Sequence, residues 1–197
     1  RMAPSHVRFG SFEVFFYRQQ YAHLRELADY VIAHDFPQLR DDPQPYLALL
    51  REVVRRTAEL IAQWQLVGFI HGVMNTDNTA LSGETIDYGP CAFMDFYKHD
   101  QVYSSIDRQG RYAYGNQANI GIWNLSRLAE ALLPLFARGT DKAITRAQDV
   151  LEKYVHRYGN EWLSGFRAKC GLTSTADVEP EEDKALIETL LHTMAEN

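Results

Sequence analysis

Between His71 and Pro90 the chain reads HGVMNTDNTALSGETIDYGP, and four residues there could do chemistry without helping to pack a core: Asn75, Asp77, Asn78 and Asp87. Divalent magnesium takes oxygen ligands and is commonly held by one or two side chains together with substrate phosphates. A carboxylate and an amide from one arm of a hairpin, and a carboxylate from the other arm, make such a half-site. Asp87 is the stronger ligand candidate and Asn78 the weaker one. Spacing alone leaves a local alternative equally open, in which Asp77 and Asn78 cap a turn and Asp87 ends a strand, because Asx residues favour turns for local reasons.

The flanking elements decide whether these groups can meet. Thr79-Ala80-Leu81 and Glu84-Thr85-Ile86 flank Ser82-Gly83, a two-residue turn signal that predicts a β-hairpin bringing Asp77–Asn78 and Asp87 to its open end. Upstream, Leu47, Leu50, Val53, Val54, Ala58, Ile61 and Ala62 recur at threes and fours, which predicts a long helix from Tyr46 to about Leu66. Val67 to Ile70 then suits a short buried strand. Residues 11–35 form one helix or two, with a break near Gln19–Gln20, and 41–45 make a breaker-rich loop. Residues 88–120 show no sustained period and read as a long loop ordered by its aromatics, Phe93, Phe96, Tyr97, Tyr103, Tyr112 and Tyr114. Helix resumes near Ile122. Another begins near Asp141, with an interruption at Tyr158-Gly159-Asn160 and a stop at Gly171, and a last one runs from Pro180 to Met194.

Composition narrows the class. At 197 residues, the chain is long enough for one sizeable core, and 46% hydrophobic content argues against disorder. A net charge of −6 speaks against nucleic acid as a partner. No apolar run approaches the ~20 residues that span a bilayer, so no membrane partner is expected and the cytoplasm is the expected location. Two cysteines, Cys91 and Cys170, are too few for a disulfide framework and are expected to be buried free thiols. Arg1 opens straight into dense mixed sequence, and the expectation is that a preceding part of the protein lies outside this chain.

A long helix, a short strand, a His-initiated loop ending in Asn, a hairpin and Asp-x-Gly follow one another in the order found around the catalytic site of protein kinases, whose signatures are H-R-D-L-x-x-x-N and D-F-G. His71 to Asn78 keeps the His-to-Asn interval, and Asp87-Tyr88-Gly89 stands for the second signature. The kinase's catalytic Asp, however, falls on Val73. That combination is pseudokinase-like. The fold class expected is mostly α with a small β-hairpin, a protein kinase-like C-terminal lobe spanning 1–197, with the N-terminal lobe absent from this chain.

HGVMNTDN, TIDYGP, GRYAYGNQ, WNLSRLAEALLP and RMAPSHVRFGSFE together resemble the selenoprotein O family, pseudokinases that act as protein adenylyltransferases. The resemblance implies transfer of AMP from ATP to Ser, Thr or Tyr hydroxyls of other proteins, with Mg2+ or Mn2+ as cofactor. It assigns Asp77 as the base that takes the hydroxyl proton, Asn78 and Asp87 as metal ligands, and Arg1, Arg8 and Asp87 as the residues that bind the nucleotide. Planar guanidinium groups suit phosphates because they stay charged and can fork onto two oxygens. A kinase-like site also needs a glycine-rich loop and a Lys–Glu pair from an N-terminal lobe, so this chain alone is expected to be poorly active. A kinase-like phosphotransferase and a catalytically silent pseudokinase scaffold are the competing readings. His71, Asn75 and Thr76 are expected to shape the loop, and Ser5 and His6 to form a turn. Redox control through a C-terminal cysteine does not carry over to this sequence.

Overall fold

The apolar stripe ahead of the HGVMNTDN loop becomes the central packing surface in the computed structural model, which describes residues 3–136, 140–172 and 180–196. Helix α3 (Pro45–Leu66) has its proline in the first turn, where a missing N–H costs nothing. All seven apolar residues that the periodicity selects are buried. Full burial of a leucine such as Leu50 contributes roughly 1.5–3 kcal/mol. Before it lie α1 (Phe9–Tyr17) and α2 (Tyr21–Asp35), separated at Gln19, whose φ of 57° breaks the helical path where the sequence predicts it.

Helix α3 leads into β1 (Phe69–Ile70), which pairs antiparallel with β2 (Ala92–Phe93), Phe69 opposite Phe93 and Ile70 opposite Ala92. The small antiparallel pair therefore exists, but its strands are not those of the predicted hairpin. The Ser82-Gly83 turn does form, with Gly83 N–H donating to Ala80 O at 3.3 Å, yet its two arms find other partners. Ala80 bridges Arg8. Arg56 Nη1 holds the turn itself, donating to Ser82 O at 3.1 Å, and on the returning arm Trp64 Nε1 donates to Thr85 Oγ1 at 2.9 Å. Helix α3 thus replaces a strand as the scaffold of that arm.

Helix α4 (Gln117–Leu132) starts earlier than the predicted Ile122. Helix α5 (Thr140–Lys169) packs along α3 and is unbroken at Tyr158-Gly159-Asn160, contrary to expectation. Its inner face, Ala147, Val150, Leu151, Tyr154, Tyr158, Trp162 and Phe166, runs at helical spacing straight across Gly159, and that packing outweighs the ~1 kcal/mol cost of a helical glycine. The helix stops at Gly171, whose φ of 69° lets Leu172 N–H reach Arg167 O at 2.9 Å. Helix α6 (Pro180–Glu196) docks through Ile187 on Leu66 and Phe166, and Asp183 pairs with Arg167 at 2.8 Å.

The described residues are thus mostly helical with one two-stranded sheet. The 88–120 segment carries β2 and is ordered chiefly by Tyr114, whose hydroxyl donates to Gln65 O at 2.5 Å while Gln65 Nε2 returns a bond to Tyr114 O at 2.8 Å. Phe96, grouped with the ordering aromatics, is instead exposed. Cys91 is partly buried, and Cys170, at the outer end of α5, is exposed rather than buried. Among the described residues no helix is long and apolar enough to cross a membrane.

Candidate active site

Three separate pieces of chain meet at one place. The first is the segment entering α1: Phe9 N–H donates to Thr79 O and Leu81 N–H to Val7 O, each at 3.0 Å, so residues 7–9 lie antiparallel to 79–81 with Arg8 opposite Ala80. Phe9 and Phe12, both fully buried, pin this segment from below. The second piece is the loop from His71. The third is Ile86 to Pro90, which is tied to the second by His71 Nε2, 2.8 Å from Ile86 O. Gly72 has a φ of 85°, and a Cβ there would lie 2.9 Å from Pro90 Cγ, so the two pieces touch too closely for any side chain. The start of the 71–79 loop and the stretch that carries Asp87 are thus joined by these contacts rather than by strand pairing.

Inside the loop, Thr76–Asn78 form a single 3-10 turn closed by Asn78 N–H to Asn75 O at 2.9 Å. Asn78 Nδ2 donates to Val73 O at 3.0 Å, which fixes the amide and leaves Oδ1, a hard oxygen, as its unspent acceptor. Asp77 is exposed, next to the N-terminus of α1: a Cβ on Gly10 would sit 3.4 Å from Asp77 Cα. A helix N-terminus adds favourable potential for anions at this spot.

Asp87 adopts a φ of 52°, in the left-handed region that Asp tolerates better than most residues, and Gly89 N–H donates back to its carbonyl at 2.7 Å. Its carboxylate pairs with Arg8, Nη2 to Oδ2 at 2.8 Å, with the two side chains 40% and 37% exposed. The structure therefore joins Arg8 to Asp87 directly and sets both beside the loop that carries Asp77 and Asn78. Arg1 lies outside the described residues. One carboxylate and one amide oxygen fit a hard divalent cation as a partial ligand set, the remainder coming from a polyphosphate and water. Among the described residues no cluster of three or more His, Cys, Asp or Glu forms a cage of its own.

Sequence reasoning missed what holds the loop. Gln117 is fully buried at the start of α4 and acts as a surrogate strand: its Nε2 donates to Phe69 O at 2.9 Å and its Oε1 accepts His71 N–H at 3.0 Å. Seven residues on, fully buried Asn124 donates to Met74 O at 2.9 Å and Thr79 Oγ1 at 3.2 Å. The signal was two amides seven apart, on one stripe of an otherwise apolar helix face. Tyr112 closes the other side. Its hydroxyl donates to Asn75 Oδ1, and its own N–H is held by Asp107 Oδ2 at 2.7 Å.

A family model described as protein adenylyltransferase SelO matches residues 1–197. Relatives called protein nucleotidyltransferase YdiU are 54% identical over 197 residues in Bradyrhizobium diazoefficiens, 55% over 194 in Bacillus cytotoxicus and 55% over 197 in Geobacillus kaustophilus. These alignments cover 100%, 98% and 98% of this chain, and the chain spans 39% of each relative's length.

Proposed function

This chain belongs to the SelO family, and from that premise we propose that it carries the catalytic and metal-binding loops of a protein adenylyltransferase, in a kinase-like C-terminal lobe. The observation that carries the reading is the pairing of residues 7–9 with 79–81, which puts the Arg8 guanidinium on Asp87 next to the Asp77–Asn78 turn. The glycine-rich loop and Lys–Glu pair of such a site would come from the part of the protein that this chain does not span.

In this reading a protein Ser, Thr or Tyr hydroxyl attacks the α-phosphorus of ATP. A new O–P bond forms, the bond from the α-phosphorus to the bridging oxygen breaks, and pyrophosphate leaves with that electron pair. Asp77, exposed at the rim, accepts the hydroxyl proton. Arg8 and the N-terminus of α1 offset charge on the phosphates, which is worth most when the donors are already in place. Asn78 Oδ1 and Asp87 would hold Mg2+ or Mn2+, which would supply further charge compensation to the phosphates.

The test is mass spectrometry of the full-length parent incubated with ATP and Mg2+ or Mn2+. AMP adducts that vanish in Asp77→Ala and Asp87→Asn are the expected result. Transfer of the γ-phosphate label without the adenine would establish a phosphotransferase instead, and unchanged labelling in Asp77→Ala would remove Asp77 from its role.

A further inference from the structure

The carboxylate that a divalent cation would need is already paired, through one oxygen, with a cation of the protein's own. Arg8 Nη2 lies 2.8 Å from Asp87 Oδ2, and the contact is partly sealed: Arg8 Nε and Asp87 Oδ2 are buried atoms that make no hydrogen bond. The pair is held by charge more than by directed bonding. Because both side chains remain more than a third exposed, it is also weak, of the order that solvent-screened pairs usually reach. Its two ends differ in freedom. Asp87 is fixed by the bonds around Ile86 and Gly89, and the Arg8 backbone by its bridge to Ala80, so the long Arg8 side chain is the part able to swing.

A bare divalent ion arriving at Asp87 must compete with the guanidinium for the carboxylate and then remain beside it, sharing one negative charge against a full positive one. The same ion arriving with a polyphosphate brings the anion that a guanidinium prefers, since phosphate oxygens accept its planar fork. We propose that Arg8 is a specificity-determining residue that makes this site take a divalent cation as its polyphosphate complex in preference to the free ion, by competing for the Asp87 carboxylate until phosphate draws the guanidinium off. The proposal rests on the reading of Asp87 as a cation ligand.

The experiment measures Mn2+ binding by the loss of the free-ion electron paramagnetic resonance signal, using the full-length parent, unmodified and with each substitution made in this chain, with Mn2+ alone and with Mn2+ plus the α,β-methylene analogue of ATP. Arg8→Gln is expected to bind Mn2+ alone roughly threefold or more tighter than the unmodified chain, and the Mn2+–analogue complex more weakly. Arg8→Lys, which keeps the charge, is expected to stay near the unmodified chain for Mn2+ alone. Arg18→Gln removes an exposed cation at the far end of α1 and controls for net charge. If Arg8→Gln binds free Mn2+ no tighter than Arg18→Gln does, the proposal is overturned while the ligand reading stands, provided Asp87→Asn weakens the complex. If Asp87→Asn leaves the Mn2+–analogue complex unchanged, the ligand reading falls and this proposal falls with it. Circular dichroism of each variant confirms that the comparison is between folded chains.

Discussion

His71 Nε2 lies 2.8 Å from the carbonyl oxygen of Ile86, so one ring joins the start of the 71–79 loop to the residue that precedes Asp87. The ring is only 1% exposed, and its Nδ1 faces Val73 N–H at 3.4 Å, so both bonds are satisfied when Nε2 carries the proton. Replacing it by phenylalanine preserves the apolar contacts and leaves a buried carbonyl without a donor. His71→Phe should cost roughly 1–3 kcal/mol, read as a lower urea midpoint at unchanged slope. His71→Gln, which can donate again, should recover part of the loss. A phenylalanine variant with an unshifted midpoint would show that the bond contributes nothing to stability.

Gln117 supports the same loop from α4, and its two bonds have opposite polarity: it accepts from His71 N–H and donates to Phe69 O. Gln117→Glu keeps the acceptor and loses the donor, facing a carboxylate with a carbonyl at a fully buried position. The folded state should therefore favour the protonated acid and raise its pKa above the unfolded value. The sign follows: relative to the unmodified chain the variant is close to normal below about pH 4.3, and loses stability as pH rises through the raised folded value. Melting temperatures of the two chains from pH 4 to 8 test this, and a gap independent of pH would refute it.

Much of the scaffold was legible because burial imposes period. The stripe of α3 and the break at Gln19 could be read from the residues alone, since a helix of this length has little choice over which face it hides. The paired strands could not. Residues 79–86 have the composition of a hairpin, but backbone pairing depends on which partner is at hand, and here the bonds run to Val7–Phe9 and to α3. Gln117 and Asn124 were missed for a related reason: amides in a helix are easily taken for surface until the strand and loop they bond are known. The candidate site residues were easier to single out, because Asp77, Asn78 and Asp87 stand out as polar groups that no apolar period claims.

Tyr112 gives a test of positioning rather than stability. Its hydroxyl donates to Asn75 Oδ1, and Asn75 O in turn accepts from Asn78 N–H and Thr79 Oγ1, so the tyrosine steadies the turn that presents Asp77. Tyr112→Phe retains the ring and its packing. For the proposed transfer, the expected outcome is a kcat lowered roughly tenfold by looser alignment, with KM for ATP little changed and the unfolding free energy from urea titration lowered by less than about 1.5 kcal/mol. A change in KM alone would place Tyr112 in nucleotide binding instead.

Acid sensitivity should enter through α3, on the side that holds the returning arm. Glu52 Oε1 accepts from Arg55 Nη2 at 2.7 Å and Arg56 Nε at 2.8 Å, and the Arg55 hydrogen bond, opposed by partial burial and helped by Arg56, pulls the Glu52 pKa from 4.5 to about 2. A depressed folded pKa means that the stabilisation is fully present above pH 4.5 and is lost as pH falls from there toward 2. Solvent reaching the partly exposed arginines screens the interaction, so its worth is on the order of 1 kcal/mol. Arg56 also grips Ser82 O at 3.1 Å, five residues before Asp87, so protonating Glu52 frees the cation that anchors this arm. Glu52→Gln should be less stable than the unmodified chain at pH 7 and should lose less on going to pH 3, so that the two melting curves converge. Parallel loss in both chains would assign the acid transition to other carboxylates.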